Sequence, residues 1–203
     1  AYTFQIAAVN VNGTGSASSA SSSLTPNLKG MVSIATITAA GAETSLTFSS
    51  IPQTYTDLQI RAFYRDSSNQ GGSQLQMTFN NDSGASSYSV HGVYGNGTSA
   101  TIFTGGTNNC LLVQIRGADA GFTSNVFSPS ITDIADYTNT AKYKTIKSFA
   151  GSDNNAASTA PAVSIQSGAW LNTNSVTSIT LKPSGTGFAA GVIVALYLSL
   201  IHI

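Results

Sequence analysis

Residues 48–66 read FSSIPQTYTDLQIRAFYRD, and the second half of this stretch alternates with a period of two. Leu58, Ile60, Ala62 and Tyr64 fall on one side. Asp57, Gln59, Arg61 and Arg65 fall on the other, with Phe63 the one apolar exception. This is the pattern of a β-strand with one face on a core and one towards solvent. Ser50, Ile51, Pro52 and Gln53 form the turn that leads into it.

The same period recurs along the chain. Leu75, Met77 and Phe79 share one face of 74–80, and Leu111, Val113 and Ile115 one face of 110–116. Further strands are expected at 31–38, 44–48, 88–93, 99–103, 122–134, 142–149, 163–170, 176–181 and 192–197. The last is apolar on both faces, which suits a central strand. Gly-rich or Asn-rich stretches at 67–73, 80–87 and 95–97 separate them, and the strand of 48–66 is expected to pair with 74–80 as a hairpin. No segment has a convincing amphipathic helical period. The closest, 131–140, reads as a strand end and a turn. The expected fold class is all-β, an antiparallel β-sandwich or jelly roll.

Composition narrows the function classes. Charged residues are 8% of the 203 and the net charge is zero, against the roughly 25% charged residues of an average soluble domain. Such a chain has no electrostatic footprint for nucleic acid or an anionic membrane. The longest apolar run, 189–201, contains Ser199 and falls short of the ~20 residues of a spanning helix. The opening residues do not read as a signal peptide. Cys110 is the single cysteine, so no intrachain disulfide forms, and its neighbours Leu111, Leu112 and Val113 favour a buried thiol.

The two ends differ from the rest. Tyr2, Phe4, Ile6 and Ala8 alternate with polar or small residues, and NVNGTG (10–15) precedes a Ser-rich run. Residues 1–26 resemble the last hairpin of a fibronectin type III domain, carried by Tyr2, Phe4, Asn10, Gly13 and Gly15. Two strands bury no core alone, so this piece is expected to be the tail of a domain, with 27–203 forming the β-sandwich. The terminal LSLIHI (198–203) matches a translated transposon end used in shotgun libraries. It is expected to be non-native read-through of metagenomic origin, which leaves His202 without functional meaning.

Residues that could carry chemistry are few. His91 and His202 are the only histidines, and no G-x-S-x-G elbow is present. One Glu and seven Asp are scattered singly, with Asp133 and Asp136 the closest pair, so no glycosidase carboxylate pair is expected. The NNDSG stretch (80–84) lacks the spacing of a calcium loop and reads as an Asx turn. No metal site and no cofactor are expected. Lys142, Lys144 and Lys147 form the one basic cluster, read as edge-strand protection. Trp170 is expected to plug a sheet end. The sequons at Asn12, Asn81 and Asn96 are those chance gives a Ser/Thr-rich chain.

Four longer stretches add a resemblance: FSSIPQTYTDLQIRAFYRD, FNNDSGASSYSVHGVYGNG, ITDIADYTNTAKYKTIKSFAG and SGAWLNTNSVTSITLKPSGTGFAAG, in this order. Together they resemble an uncharacterised family of tailed-phage virion proteins, tail-fibre-like or structural, from phages of aquatic bacteria, over about residues 32–197. The resemblance implies a non-enzymatic virion protein, placed in an appendage and used for assembly or host attachment. Its expected partners are other virion or tail proteins, a host-surface glycan and further copies of the chain. The alternative is a carbohydrate-binding module of a secreted bacterial protein. In either case binding is expected in polar loops held by the sandwich. Tyr94 and Asn96 of VYGNG, with Asp153 and Asn154 of SDNN, offer an apolar ring and fixed donors and acceptors. The alternative for each is a plain turn residue.

Overall fold

The computed structural model describes residues 3–23, 31–104, 109–154 and 161–199. Tyr2, the linker around 26–30 and the terminal residues including His202 lie outside them. The chain divides into two units, Ala1–Gly30 and Met31–Ile203.

In the first unit, β1 (Val9–Asn10) and β2 (Gly13–Thr14) pair antiparallel. Backbone bonds from Gly15 to Ala8, Ser18 to Ile6 and Ser21 to Phe4 continue the ladder. Phe4 and Ile6 are exposed.

The second unit is an all-β sandwich. Its strands are β3 (Val32–Thr38), β4 (Leu46–Phe48), β5 (Asp57–Tyr64), β6 (Ser73–Phe79), β7 (Tyr88–Gly95) and β8 (Ala100–Thr104). They continue with β9 (Leu111–Gly117), β10 (Ser128–Ala135), β11 (Lys144–Ser152), β12 (Ala162–Trp170), β13 (Ile179–Pro183) and β14 (Ile193–Ser199). No helix occurs among the described residues. One sheet has eight strands in the order β3-β14-β5-β10-β11-β12-β7-β8, and the other has four in the order β4-β13-β6-β9. All pairings between these strands are antiparallel.

The core lies between the sheets. Leu58 and Ile60 from β5 and Leu196 from β14 meet Leu75, Met77, Phe79, Leu111, Val113 and Leu181 of the smaller sheet. Every residue expected on an inward face of β5, β6 and β9 is buried. Trp170 closes one end, edge-on to Phe79 at 5.6 Å, with its indole N–H donating to Asp82 at 2.7 Å. β14 lies between β3 and β5, inside the sheet as its apolar run suggests.

Two expectations change. β5 and β6 do not form a hairpin, because they belong to different sheets. The chain crosses between layers at 65–72, and buried polar groups anchor the crossing. Ser73 donates to Asp66 at 2.6 Å, and the phenol of Tyr64 lies 2.6 Å from the Ser73 hydroxyl. The lysines do not guard an edge, because β11 is central in the large sheet. Lys142 and Lys147 pair with Asp136 and Asp133 at 2.8 and 3.6 Å. Lys144 is buried, and its ammonium donates to the carbonyls of Asn139, Lys142 and Thr173. Burial pulls its pKa down.

Strands β10 to β12 carry an inversion of the usual pattern. Near the middle of each, the inward positions are polar or small: Ser130 and Thr132, Ser148 and Ala150, Ser164 and Gln166. Their outward neighbours Ile131, Phe149, Val163 and Ile165 are exposed. The cause lies in β9, an edge strand of the smaller sheet whose backbone acceptors need donors away from β6. The hydroxyl of Ser148 and the amide of Gln166 both donate to the Val113 carbonyl, at 2.5 and 2.8 Å. Ser152 donates to the Arg116 carbonyl at 2.6 Å, and the Ala118 N–H donates to Ser128 at 2.7 Å. The large sheet thus closes the edge of the small one with side chains.

Candidate functional site

The polar end of the sandwich is built on the loops after β5 and β7. Two buried carboxylates shape the first. Asp119 accepts the backbone N–H groups of Gln70, Gly72 and Gly121 at 2.7–2.8 Å. Asp66 accepts those of Ser68 and Gly185, both at 2.9 Å. Backbone donors converging on each carboxylate let it stay buried and pin the loop to the body. Gly72 has a φ of +106° and sits against Arg116, where a Cβ would lie 3.3 Å from the Arg116 Cα. A side chain there meets both strain and crowding.

Two shallow depressions flank the end of β7. One, of about 180 Å³, is lined by Gly95, Asn96, Gly97, Ser152, Asp153, Pro161, Ala162 and Val163. The other, of about 310 Å³, is lined by Gln70, Gly71, Gly72, Gln74, Tyr94, Ile115 and Arg116.

The four residues singled out from the sequence separate on these surfaces. Asn96 and Asp153 lie 57 positions apart in the chain and share the first depression. The Asn96 side-chain oxygen is occupied within its own turn, accepting from the backbone N–H and hydroxyl of both Thr98 and Ser99. Asp153 is exposed, and its carboxylate accepts the Asn154 N–H at 2.7 Å. Asn154 is a correction: its side chain is buried and its oxygen accepts from the N–H and hydroxyl of Thr123, at 3.0 and 2.7 Å. It holds two loops together and lines neither depression.

Tyr94 belongs to the second depression and sits on β7 instead of in the loop. The Arg116 guanidinium lies 4.9 Å from its ring centroid, and Nη2 is 3.5 Å from the phenol oxygen. That cation holds the Tyr94 phenol below the ordinary tyrosine value. Among the described residues Arg116 has no carboxylate partner. An aromatic ring, a guanidinium and the amides of Gln70 and Gln74 thus line one shallow surface, a set that can stack on and hydrogen-bond a polar ring. Arg116, Gln70 and Gln74 escaped the sequence reading. Gln70 and Gln74 lie 20 or more positions from Tyr94 and 42 or more from Arg116, and only the crossing between sheets brings them together.

The remaining sequence candidates resolve simply. Asp82 accepts from Trp170, Gly84 and Ser87, which makes 80–84 an Asx turn and holds the Asp82 pKa below its ordinary value, the Trp170 bond first among the causes. His91 is exposed on the outer face of β7. Asp133 pairs with Lys147, and Asp136 with Lys142. Cys110 is buried. Among the described residues no group of three or more His, Cys, Asp or Glu side chains could hold a metal ion.

No known family model and no curated protein matches this chain. A solved structure of a protein of unknown function from Shewanella oneidensis MR-1 is similar over 85% of this chain and 77% of its own, at 9% identity and a TM-score of 0.22. That likeness is too slight to bear on fold or function.

Proposed function

We propose that this chain is a non-enzymatic, tail-fibre-like module of a phage virion, acting in appendage assembly or attachment to the host surface. The observation that carries the reading is the ordered set of four motifs spread over residues 32–197. The surface described above is compatible with attachment. Tyr94, Arg116, Gln70 and Gln74 offer a ring face, a cation and two amides in a shallow open depression, and Asn96 and Asp153 extend the polar rim beside it. These groups suit a hydroxylated, weakly acidic ligand such as a surface glycan. The same surface favours, as a second reading, a carbohydrate-binding module of a secreted bacterial protein.

The test places the module on a phage fibre and measures adsorption to host cells. Tyr94→Ser with Arg116→Ser removes the ring and the cation, and Asp153→Ala with Gln74→Ala thins the rim. Adsorption is expected to fall with thermal stability nearly unchanged. Wild-type adsorption in both variants would remove the attachment role and leave assembly. Reducing ends released from host polysaccharide by the purified protein would contradict the non-enzymatic reading.

A further inference from the structure

The outer face of the eight-stranded sheet is divided into an apolar and a polar part. Cross-strand register aligns Ile131, Phe149, Ile165, Val93 and Ile102 in one continuous row over five strands. These side chains are 39–86% exposed. A parallel row beside it contains Phe63 opposite Pro129, and Val163 opposite Gly151. On the other side runs a polar row, with Gln59 donating to Asp133 at 2.7 Å and Lys147 paired to the same carboxylate. Two adjacent apolar rows rimmed by a polar one form an exposed patch of the kind that marks an interaction surface.

The fold itself does not require this patch. The inward side chains of β10 to β12 bond the edge of β9, and an outward Ile or Phe adds nothing to that closure. We propose that the patch is the interface with a second copy of this chain, the two large sheets packing face to face. The inference does not rest on the virion reading.

Area supports this occupant. The apolar rows form the centre of that interface and the rest of the outer face its rim: eight strands about 4.8 Å apart, mostly seven to nine residues long at about 3.3 Å each, give a whole face, polar row included, of roughly 900 Å². A standard stable interface needs about 800 Å² from each partner. Charge agrees: the chain has zero net charge, and Asp133 on this face is already neutralised by Lys147. Two copies therefore meet without long-range repulsion. Twisted sheets pack face to face about 10 Å apart with strands some 30° from alignment, a geometry open to an isologous pair.

Sedimentation equilibrium of the full chain over a range of concentrations tests it. The wild-type protein is expected to dimerise, and Phe149→Thr with Ile165→Thr to weaken the dimer at least about tenfold. Threonine keeps strand propensity, and far-UV circular dichroism checks that the sheets persist. Ile102→Lys, at a highly exposed site on the edge strand β8, provides an independent variant that leaves the core untouched and is also expected to weaken the dimer. A wild-type chain that stays monomeric at all concentrations overturns the proposal, as does a dimer that all these substitutions leave unchanged.

Discussion

The large sheet contains two kinds of strand. In β5 and β14 the inward side chains are Leu58, Ile60, Ala62 and Tyr64, and Val194, Leu196 and Leu198, and the neighbouring outward positions of β5 include Gln59 and Arg61. In the middle of β10, β11 and β12 the polarity reverses, with Ser, Thr and Gln inside and Ile, Val and Phe outside. The first kind packs on the smaller sheet through apolar contact. The second lies against an exposed backbone edge and supplies it with donors. Inwardness in a sandwich is therefore set by what the facing layer offers, and apolarity follows only where that layer offers side chains.

The largest effect should come from the apolar half. Leu58→Ala or Ile60→Ala removes a fully buried side chain from the centre of the core and is expected to cost about 2–5 kcal/mol in denaturant unfolding. A cost near zero would mean that the core is not centred on β5. The polar half responds to loss of a donor instead. Ser148→Ala takes one of two donors from the Val113 carbonyl, together with the bond between Ser148 and Thr132, and is expected to cost about 1–3 kcal/mol. A neutral result would show that the edge of β9 does not need this bond.

Much of the first half was legible in the sequence, and little of the second. Period-two alternation identified Leu58, Ile60, Leu75, Met77, Phe79, Val113 and Ile115 as core, because each faces side chains from the other sheet. In SPSITDIA the alternation holds over 128–132 and then slips, leaving Ile131 and Ile134 on opposite faces, and alternation does not say which set faces in when the partner is a distant strand edge. The same non-locality hid the crossing between β5 and β6, the burial of Lys144 and the meeting of Tyr94 with Arg116. Asn154 misled for a local reason: a polar residue in a turn-rich segment looks the same whether its amide faces solvent or holds Thr123.

Acid separates a smaller contribution in the apolar half. Glu43 accepts the backbone N–H groups of Ala40, Gly41 and Ala42, and these bonds lower its pKa from the ordinary 4.5 to about 2. A carboxylate depressed in the folded state contributes stability that is present above pH 4.5 and lost as pH falls through about 2. Glu43→Gln should therefore be less stable than wild type near neutrality, with the gap closing across that window. A gap that does not change with pH would assign the effect to the turn's shape and not to its charge.

The smallest effect should come from the polar groups left without a protein partner. The hydroxyls of Ser130 and Ser164 are buried with no hydrogen-bond partner among the described residues, and both flank Ala150 across neighbouring strands. Ser164→Ala is expected to change unfolding free energy by less than about 0.5 kcal/mol, or to raise it, because the alanine leaves no buried polar atom unmet. A clear loss would place a strong bond at this hydroxyl and weaken the contrast with Ser148.

The inversion itself is tested most directly by two adjacent residues of β12, one on each face. Gln166 is buried and donates to Val113, and Ile165 is 52% exposed. Urea unfolding of dilute, monomeric Gln166→Leu and Ile165→Thr proteins should show the polar-to-apolar change costing about 1–3 kcal/mol and the apolar-to-polar change staying within about 0.5 kcal/mol. The reverse order, with Ile165→Thr strongly destabilising and Gln166→Leu neutral or stabilising, would contradict the account.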